Sequence, residues 1–275
     1  MATKPKLGQN FLRDQNAIRR IADALGDLSR QTVVEIGPGQ GAITRALAER
    51  ASHVIAIELD RELAPRLRAE FPPDRVTVVE QDVLAFDFAA ASVAAGHRLA
   101  VAGNLPYYIT SPILLKLAAS HSALNHAVLM VQREVGDRLV AAPGSRDYGL
   151  LSVTVQMYGP VAPLFTLPPG AFSPPPEVHS TILRWRFAPR FVELGVDGDA
   201  FLRFVRQAFA QKRKTLANNL RAAKYDPAAA QGAFAAAAIS PQARAEELAI
   251  EQLAALHLQL EKDKAASSGE AALSG

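Results

Sequence analysis

Residues 33–47 read VVEIGPGQGAITRAL: an apolar run interrupted by Gly37, Gly39 and Gly41, then resuming with helical spacing. Glycines between a strand and a helix let the backbone adopt positive φ and approach a ligand closely, and the helix start offers free N–H groups. The same letters fit G-x-G-x-x-A with Ala42 last, the pattern of a nicotinamide dinucleotide site, so the loop alone leaves its ligand open. Glu58 follows Gly37 by 21 residues and ends HVIAIE, where a carboxylate accepts from both hydroxyls of a ribose. NAD and S-adenosylmethionine are served equally by that acid. Two neighbours favour the second: Pro38 removes a donor that a pyrophosphate would use, and Glu35 adds negative charge suited to a sulfonium cation. Asp82, ending VTVVEQD, is placed to accept from an adenine amino group, with a turn or helix-capping role as its alternative.

Outward from this loop, short β-rich runs alternate with helical periodicity from Thr32 to Met130: TVVEIG, ITRALAER, HVIAIEL, RELAPRLRAEF, VTVVEQD, RLAVAGN, SPILLKLAAS and HAVLMVQ. Strand and helix in alternation predict an α/β domain, a parallel sheet with helices on both faces. REVGDRLVAA reads as a helix, LLSVTVQMYG as a further strand, PPGAFSPPPEVHS as a proline-dense loop and VHSTILRWRF as a closing strand. The first domain is expected over residues 1–188. Helical periodicity from DAFLRFVRQAFAQ onward predicts a small α-helical domain over 189–264, and the small polar residues 265–275 read as a disordered tail.

At 275 residues and 49% hydrophobic, the chain can bury a large core. It has no cysteine, which excludes disulfides and thiolate metal sites, and its six histidines show no paired spacing, so no metal is expected. No leader and no apolar run of membrane-spanning length is evident, so a cytoplasmic protein with no membrane partner is expected. The net charge of +3 hides a polarity along the chain. Residues 1–20 carry five Lys/Arg against one Asp, and residues 184–224 carry ten against three acids. Such clustering suits a polyanion held at two places, with a solvated surface as the plain alternative.

VAGNLPYYITSP, residues 101–112, follows the fourth strand and so faces the same crevice as the glycine loop. The chemistry that fits is methylation of an exocyclic base amine, a poor nucleophile because its lone pair is delocalised. Asn104 Oδ1 and the Leu105 carbonyl can accept the two amine hydrogens, Pro106 offers no competing N–H, and Tyr107 can stack on the base. Phe172 in GAFSPPP is a candidate second face of that clamp. Turn geometry with core tyrosines, and a buried loop aromatic, are the structural alternatives.

LGQNFL, EIGPGQGAIT, AIELD, EQDVLAFDF, GNLPYYITSP, QREVGDRL, YGLLSV, AFSPPPEVHS and AFAQKRKTLANNL occur in the order of the small-subunit ribosomal RNA adenine N6,N6-dimethyltransferases. Across residues 7–220 the chain resembles that family, the kasugamycin-resistance methyltransferases. The resemblance implies a Rossmann-like class I methyltransferase domain with a seven-stranded, mostly parallel sheet and a helical C-terminal domain. It further implies a monomer that dimethylates two adjacent adenosines in the 3′-terminal hairpin loop of 16S rRNA, with S-adenosyl-L-methionine, late in 30S assembly. Carried over by motif, Asn10, Leu12, Gly37 and the neighbouring Gly39 belong to the donor site. Glu58 holds the ribose, Asp82 the adenine, and Asn104 lies between donor and target. Tyr107 and Phe172 resemble the aromatics flanking the target base, and Lys212, Arg213 and Lys214 look like RNA-phosphate contacts, in accord with the regional charge. Tyr108 stands where Asn is frequent in the family, and Glu177 and His179 where Lys and Asp are common. These departures put loop contacts and target-base packing in doubt, and leave the reaction untouched. The other readings are a large-subunit rRNA adenine methyltransferase, a non-catalytic rRNA-binding factor of the same fold, and an NAD-dependent dehydrogenase.

Overall fold

The computed structural model describes the backbone of residues 9–273 and side chains as far as residue 262. Part of the basic N-terminal arm, with LG of LGQNFL, lies outside the described residues. The chain begins with β1 (Phe11–Leu12), α1 (Gln15–Ala24), β2 (Thr32–Ile36), α2 (Ala42–Ala48), β3 (His53–Glu58), α3 (Leu63–Glu70) and β4 (Val76–Glu80). It continues through α4 (Phe88–Ala95), β5 (Leu99–Asn104), α5 (Thr110–Ala119), β6 (Leu124–Gln132), α6 (Arg133–Leu139) and α7 (Leu150–Met157). Three strands, β7 (Val161–Leu167), β8 (Phe172–Ser173) and β9 (Ser180–Arg186), precede α8 (Gly198–Ala208), α9 (Leu216–Ala222), α10 (Pro227–Ala236) and α11 (Ile250–Leu273).

Two compact units form. One takes in the chain up to Asp137 together with Tyr158–Ala188, and the other takes in Arg138–Met157 and Pro189 onward. The first unit holds a seven-stranded sheet in the order β4-β3-β2-β5-β6-β9-β7, parallel except at β9, which runs against both its neighbours. All five residues of β2 are buried, as expected of a central parallel strand covered on both faces. Helix α1 begins where Asp14 accepts the N–H groups of Asn16 and Ala17 at 2.9 and 3.0 Å, and it buries Ala17, Ile18, Ile21 and Ala22. That spacing is one face of a helix, and it packs into a core shared with Val33, Leu47, Val54 and Val128. Strand β7, which carries Pro163, sits at the sheet edge, the position where a missing N–H is tolerated.

The second unit is helical and gathers Phe201, Phe204, Val205, Leu216, Leu220, Phe234, Leu253 and Leu256 into its own core. Asp197, Thr215 and Asp226 cap α8, α9 and α10, each accepting a backbone N–H of the first turn. Arg190 bonds Glu193 and Glu251, both at 2.7 Å.

Three expectations are corrected. LLSVTVQM is helix α7, not a strand: its β-branched residues favour a strand, but Val153 and Met157, four apart, enter the helical core together with Tyr148. Ser152 settles the helix start by accepting the Gly149 N–H at 3.1 Å and donating to the Arg138 carbonyl at 2.6 Å. Residues 138–157 therefore belong to the helical unit, although they fall inside the expected 1–188 domain. The expected tail at 265–275 is helical as far as Leu273, because extending an existing helix through Ala-rich sequence avoids the cost of nucleation. Among the described residues no helix is long and apolar enough to cross a membrane.

Candidate functional site

Parallel register brings the ends of the central strands to one edge. Ile36 of β2 stands beside Ile57 of β3 and Gly103 of β5, Glu58 beside Glu80, and Asn104 beside Met130. Strand β2 has β3 on one side and β5 on the other, so the chain reverses its direction of progress at this point. A crevice opens at the carboxyl ends of strands at such a switch. It is lined by Asn10, Leu12, Glu35, Gly37, Gly39, Glu58, Asp82, Asn104, Leu105, Tyr107 and Tyr108 among others.

The glycine loop lies in left-handed conformation at Gly37, Gly39 and Gly41, with φ of 65°, 58° and 76°. At Gly39, where φ is 58°, a Cβ would stand 2.9 Å from the Phe11 ring, so a side chain there would be strained and would push that ring off the loop. The N–H groups of the three glycines are already committed. Gly37 donates to the Ile57 carbonyl at 3.0 Å, Gly39 to Glu58 Oε2 at 2.9 Å, and Gly41 to the Pro38 carbonyl at 2.9 Å. A loop that cradled a diphosphate would present those donors to the ligand. Here it presents carboxylates instead, which argues against the dinucleotide reading on geometry.

Glu58 is buried, and its second oxygen accepts the Asp60 N–H at 2.9 Å. Burial raises its pKa, while the N–H groups of Asp60, Gly39 and Leu59 stabilise the charged form and oppose that rise. Each carboxylate oxygen keeps a further lone pair for a ribose hydroxyl. Glu35, on the neighbouring strand β2, enters the sequence reading only as added charge. It is 1% exposed, and its Oε2 has no hydrogen-bond partner. Burial pushes its carboxyl up to about 7, opposed by nearby Thr44 and reinforced by the Glu58 charge. An acid in the middle of the otherwise apolar VVEIG was the signal for it. Two acids, one with an orphan oxygen, fit a cationic sulfonium ligand with a ribose. Asp82 takes its capping reading: Oδ1 caps a short 3₁₀ turn through the Leu84 N–H at 2.9 Å; the residue also lines the crevice.

Asn104 ends β5, and its Nδ2 donates to the Asn10 carbonyl at 2.9 Å. A carbonyl can only accept, so this bond fixes which end of the amide is which and leaves Oδ1 as the acceptor end. Asn10 thereby joins the site through its backbone, while Leu12 is buried in the core behind it. Tyr107 is half-buried, with its hydroxyl 2.9 Å from Ser180 Oγ on β9, and burial raises its pKa. Phe172 is placed otherwise than the clamp reading expected. It pairs with Leu12 through β8 and β1, is 4% exposed, belongs to the core cluster and does not line the crevice. The β1–β8 pairing, not apparent in the sequence, draws its ring inward. Glu177 and His179 are exposed on the loop before β9. Lys212, Arg213 and Lys214 lie in the second unit, exposed on the turn between α8 and α9, with Lys212 Nζ 3.3 Å from the Arg146 carbonyl.

Residues 1–262 match the family described as Ribosomal RNA adenine dimethylase. The chain belongs to that family. Its similarity to a Ribosomal RNA small subunit methyltransferase A from Acidobacterium capsulatum is 61% identity over 259 residues, 94% of this chain and 91% of the relative. A protein of the same name from Koribacter versatilis is 48% identical over 95% of both chains. Among solved structures, the 23S rRNA methyltransferase ErmE is 27% identical with a TM-score of 0.70, covering 92% of this chain and all of that one. A dimethyladenosine transferase from Plasmodium falciparum shares the fold with a TM-score of 0.74 at 24% identity, over 92% and 98% of the two chains. This member of the ribosomal RNA adenine dimethylase family is thus an rRNA adenine methyltransferase of the class I fold, with S-adenosylmethionine as methyl donor. The dehydrogenase reading falls with that finding.

Proposed function

We propose that the chain dimethylates the N6 amines of two adjacent adenosines in the 3′-terminal hairpin loop of 16S rRNA, in the cytoplasm and as a monomer acting on the assembling 30S subunit. The observation that carries the site assignment is the Asn104 amide, held by the Asn10 carbonyl so that Oδ1 is its acceptor end beside the glycine loop. Glu58 holds the donor's ribose and Asp82 its adenine amine. Asn10, Leu12, Gly37 and Gly39 shape the floor on which the donor lies. S-adenosylmethionine bound there supplies an electrophilic methyl group on a cationic sulfur.

Asn104 Oδ1 and the Leu105 carbonyl accept the two hydrogens of the target amine and turn its lone pair toward the methyl group. An amide oxygen is too weak a base to deprotonate the amine first. Positioning and electrostatics therefore assist attack, and the proton leaves once the nitrogen has become positive. Tyr107, fixed by Ser180, offers a ring to the base. Lys212, Arg213 and Lys214 contact RNA phosphates. The similarity to small-subunit methyltransferases over nearly the whole chain supports 16S rRNA over the 23S rRNA of the more distant ErmE.

Replacement Asn104→Ala tests the central role. Turnover on 30S particles lacking the modification is expected to fall by about 10²–10³-fold, as when a fixed polar partner of a transition state is removed, with RNA affinity held within about twofold. Full turnover in this variant would remove Asn104 from the chemistry.

A further inference from the structure

Tyr108 is 60% exposed, a large aromatic surface left in solvent, and it lines the same crevice as Asn104. It sits in the 3₁₀ turn Tyr107–Ile109, where the Pro106 carbonyl accepts the Ile109 N–H at 3.2 Å and the Thr110 hydroxyl at 3.0 Å. Its neighbour Tyr107 is tethered through its hydroxyl to Ser180, so that ring is fixed in place. Phe172, the other aromatic considered for the target base, is committed to the core with Leu12. The crevice thus holds one tethered ring and one exposed ring on adjacent residues of one turn.

A base taken out of an RNA loop loses its stacking neighbours, and an aromatic side chain restores that contact whatever the base. We infer that Tyr108 is a second aromatic face for the target adenine, closing on the base after it enters beside Asn104. The inference rests on the proposed action upon an rRNA adenine. In this role the ring matters and the hydroxyl does not. Its exposure in the ligand-free protein is what a group that acts only on RNA requires, since covering it beforehand would remove the surface the base needs.

Variants Tyr108→Ala, Tyr108→Leu and Tyr108→Phe separate the ring from bulk and from the hydroxyl. With 30S particles lacking the modification as substrate, kcat/KM is expected to fall about 10-fold or more in the Ala and Leu variants and to stay within about twofold in the Phe variant. Affinity for S-adenosylmethionine, measured by calorimetry, is expected to be the same in all of them. A Leu variant with wild-type kcat/KM would overturn the stacking role. So would a Phe variant as impaired as the Ala variant, or a loss that follows donor affinity. Each of those outcomes requires a wild-type enzyme that methylates the particles; if wild type places no methyl group on adenine, the underlying functional reading fails and this inference fails with it.

Discussion

In β2, Glu35 places a carboxyl among apolar neighbours with one oxygen unbonded, and burial raises its pKa to about 7. Below the ordinary carboxylate value the group is neutral in folded and unfolded chains alike, and the full stability is present. As pH rises, the unfolded chain ionises first while the folded one resists, so stability falls through the interval from 4.5 to about 7. A shift of that size corresponds to at most about 3 kcal/mol. The ligand-free protein is therefore expected to lose thermal stability between pH 5 and pH 8 relative to Glu35→Gln, whose side chain stays neutral. Saturating donor, which brings a positive charge to the crevice, should reduce that loss. Thermal unfolding curves that run parallel for the two proteins across this range would show that Glu35 does not carry the effect.

At the scale of elements, the short pairing of β1 with β8 does two things at once. It lays Phe11 over Gly39 and sets Phe172 and Leu12 into the core. If Phe172 acts through that core, Phe172→Leu should keep turnover within a few-fold of wild type, whereas Phe172→Ala should destabilise the fold by about 3–5 kcal/mol in denaturant titrations. A Leu variant with wild-type stability and lost turnover would return Phe172 to the target base. The strand–loop–helix around Gly37 and the position of Asn104 were legible in the sequence because strand ends, glycines and local spacing are short-range features. The β1–β8 pair was not, since it joins two-residue strands far apart in the chain, and neither cooperates with its neighbours enough to leave a pattern. Helix α7 was misread for the opposite reason. Its Val and Thr residues carry a clear local preference for a strand, which packing of the helix into the second unit, with Val153 and Met157 in its core, overrides. Tyr108 shows the same limit at the site: the doubled tyrosine was visible, but only the structure separates the tethered ring from the exposed one.

On the scale of the whole molecule, the crevice and one of the two basic segments fall in different units: the crevice belongs to the sheet, and Lys212, Arg213 and Lys214 to the helical unit. The regional charge count located this basic segment, because charge, unlike long-range pairing, is additive along the chain. If each of the three side chains neutralises a phosphate, replacing Lys212 with Ala should weaken RNA binding and reduce the slope of log K against log salt by about 0.7–0.9. Replacing all three should lower the slope by roughly 2–3 in total. An unchanged slope with weakened binding would place them in a structural role. The central claim is the identity of the product. It is tested most directly by methylating unmodified 30S and 50S particles with the purified protein and labelled S-adenosylmethionine, then mapping the rRNA by mass spectrometry. The account predicts N6,N6-dimethyladenosine at two adjacent positions of the 3′-terminal hairpin loop of 16S rRNA; label confined to 23S rRNA, or absent from adenine, would contradict it.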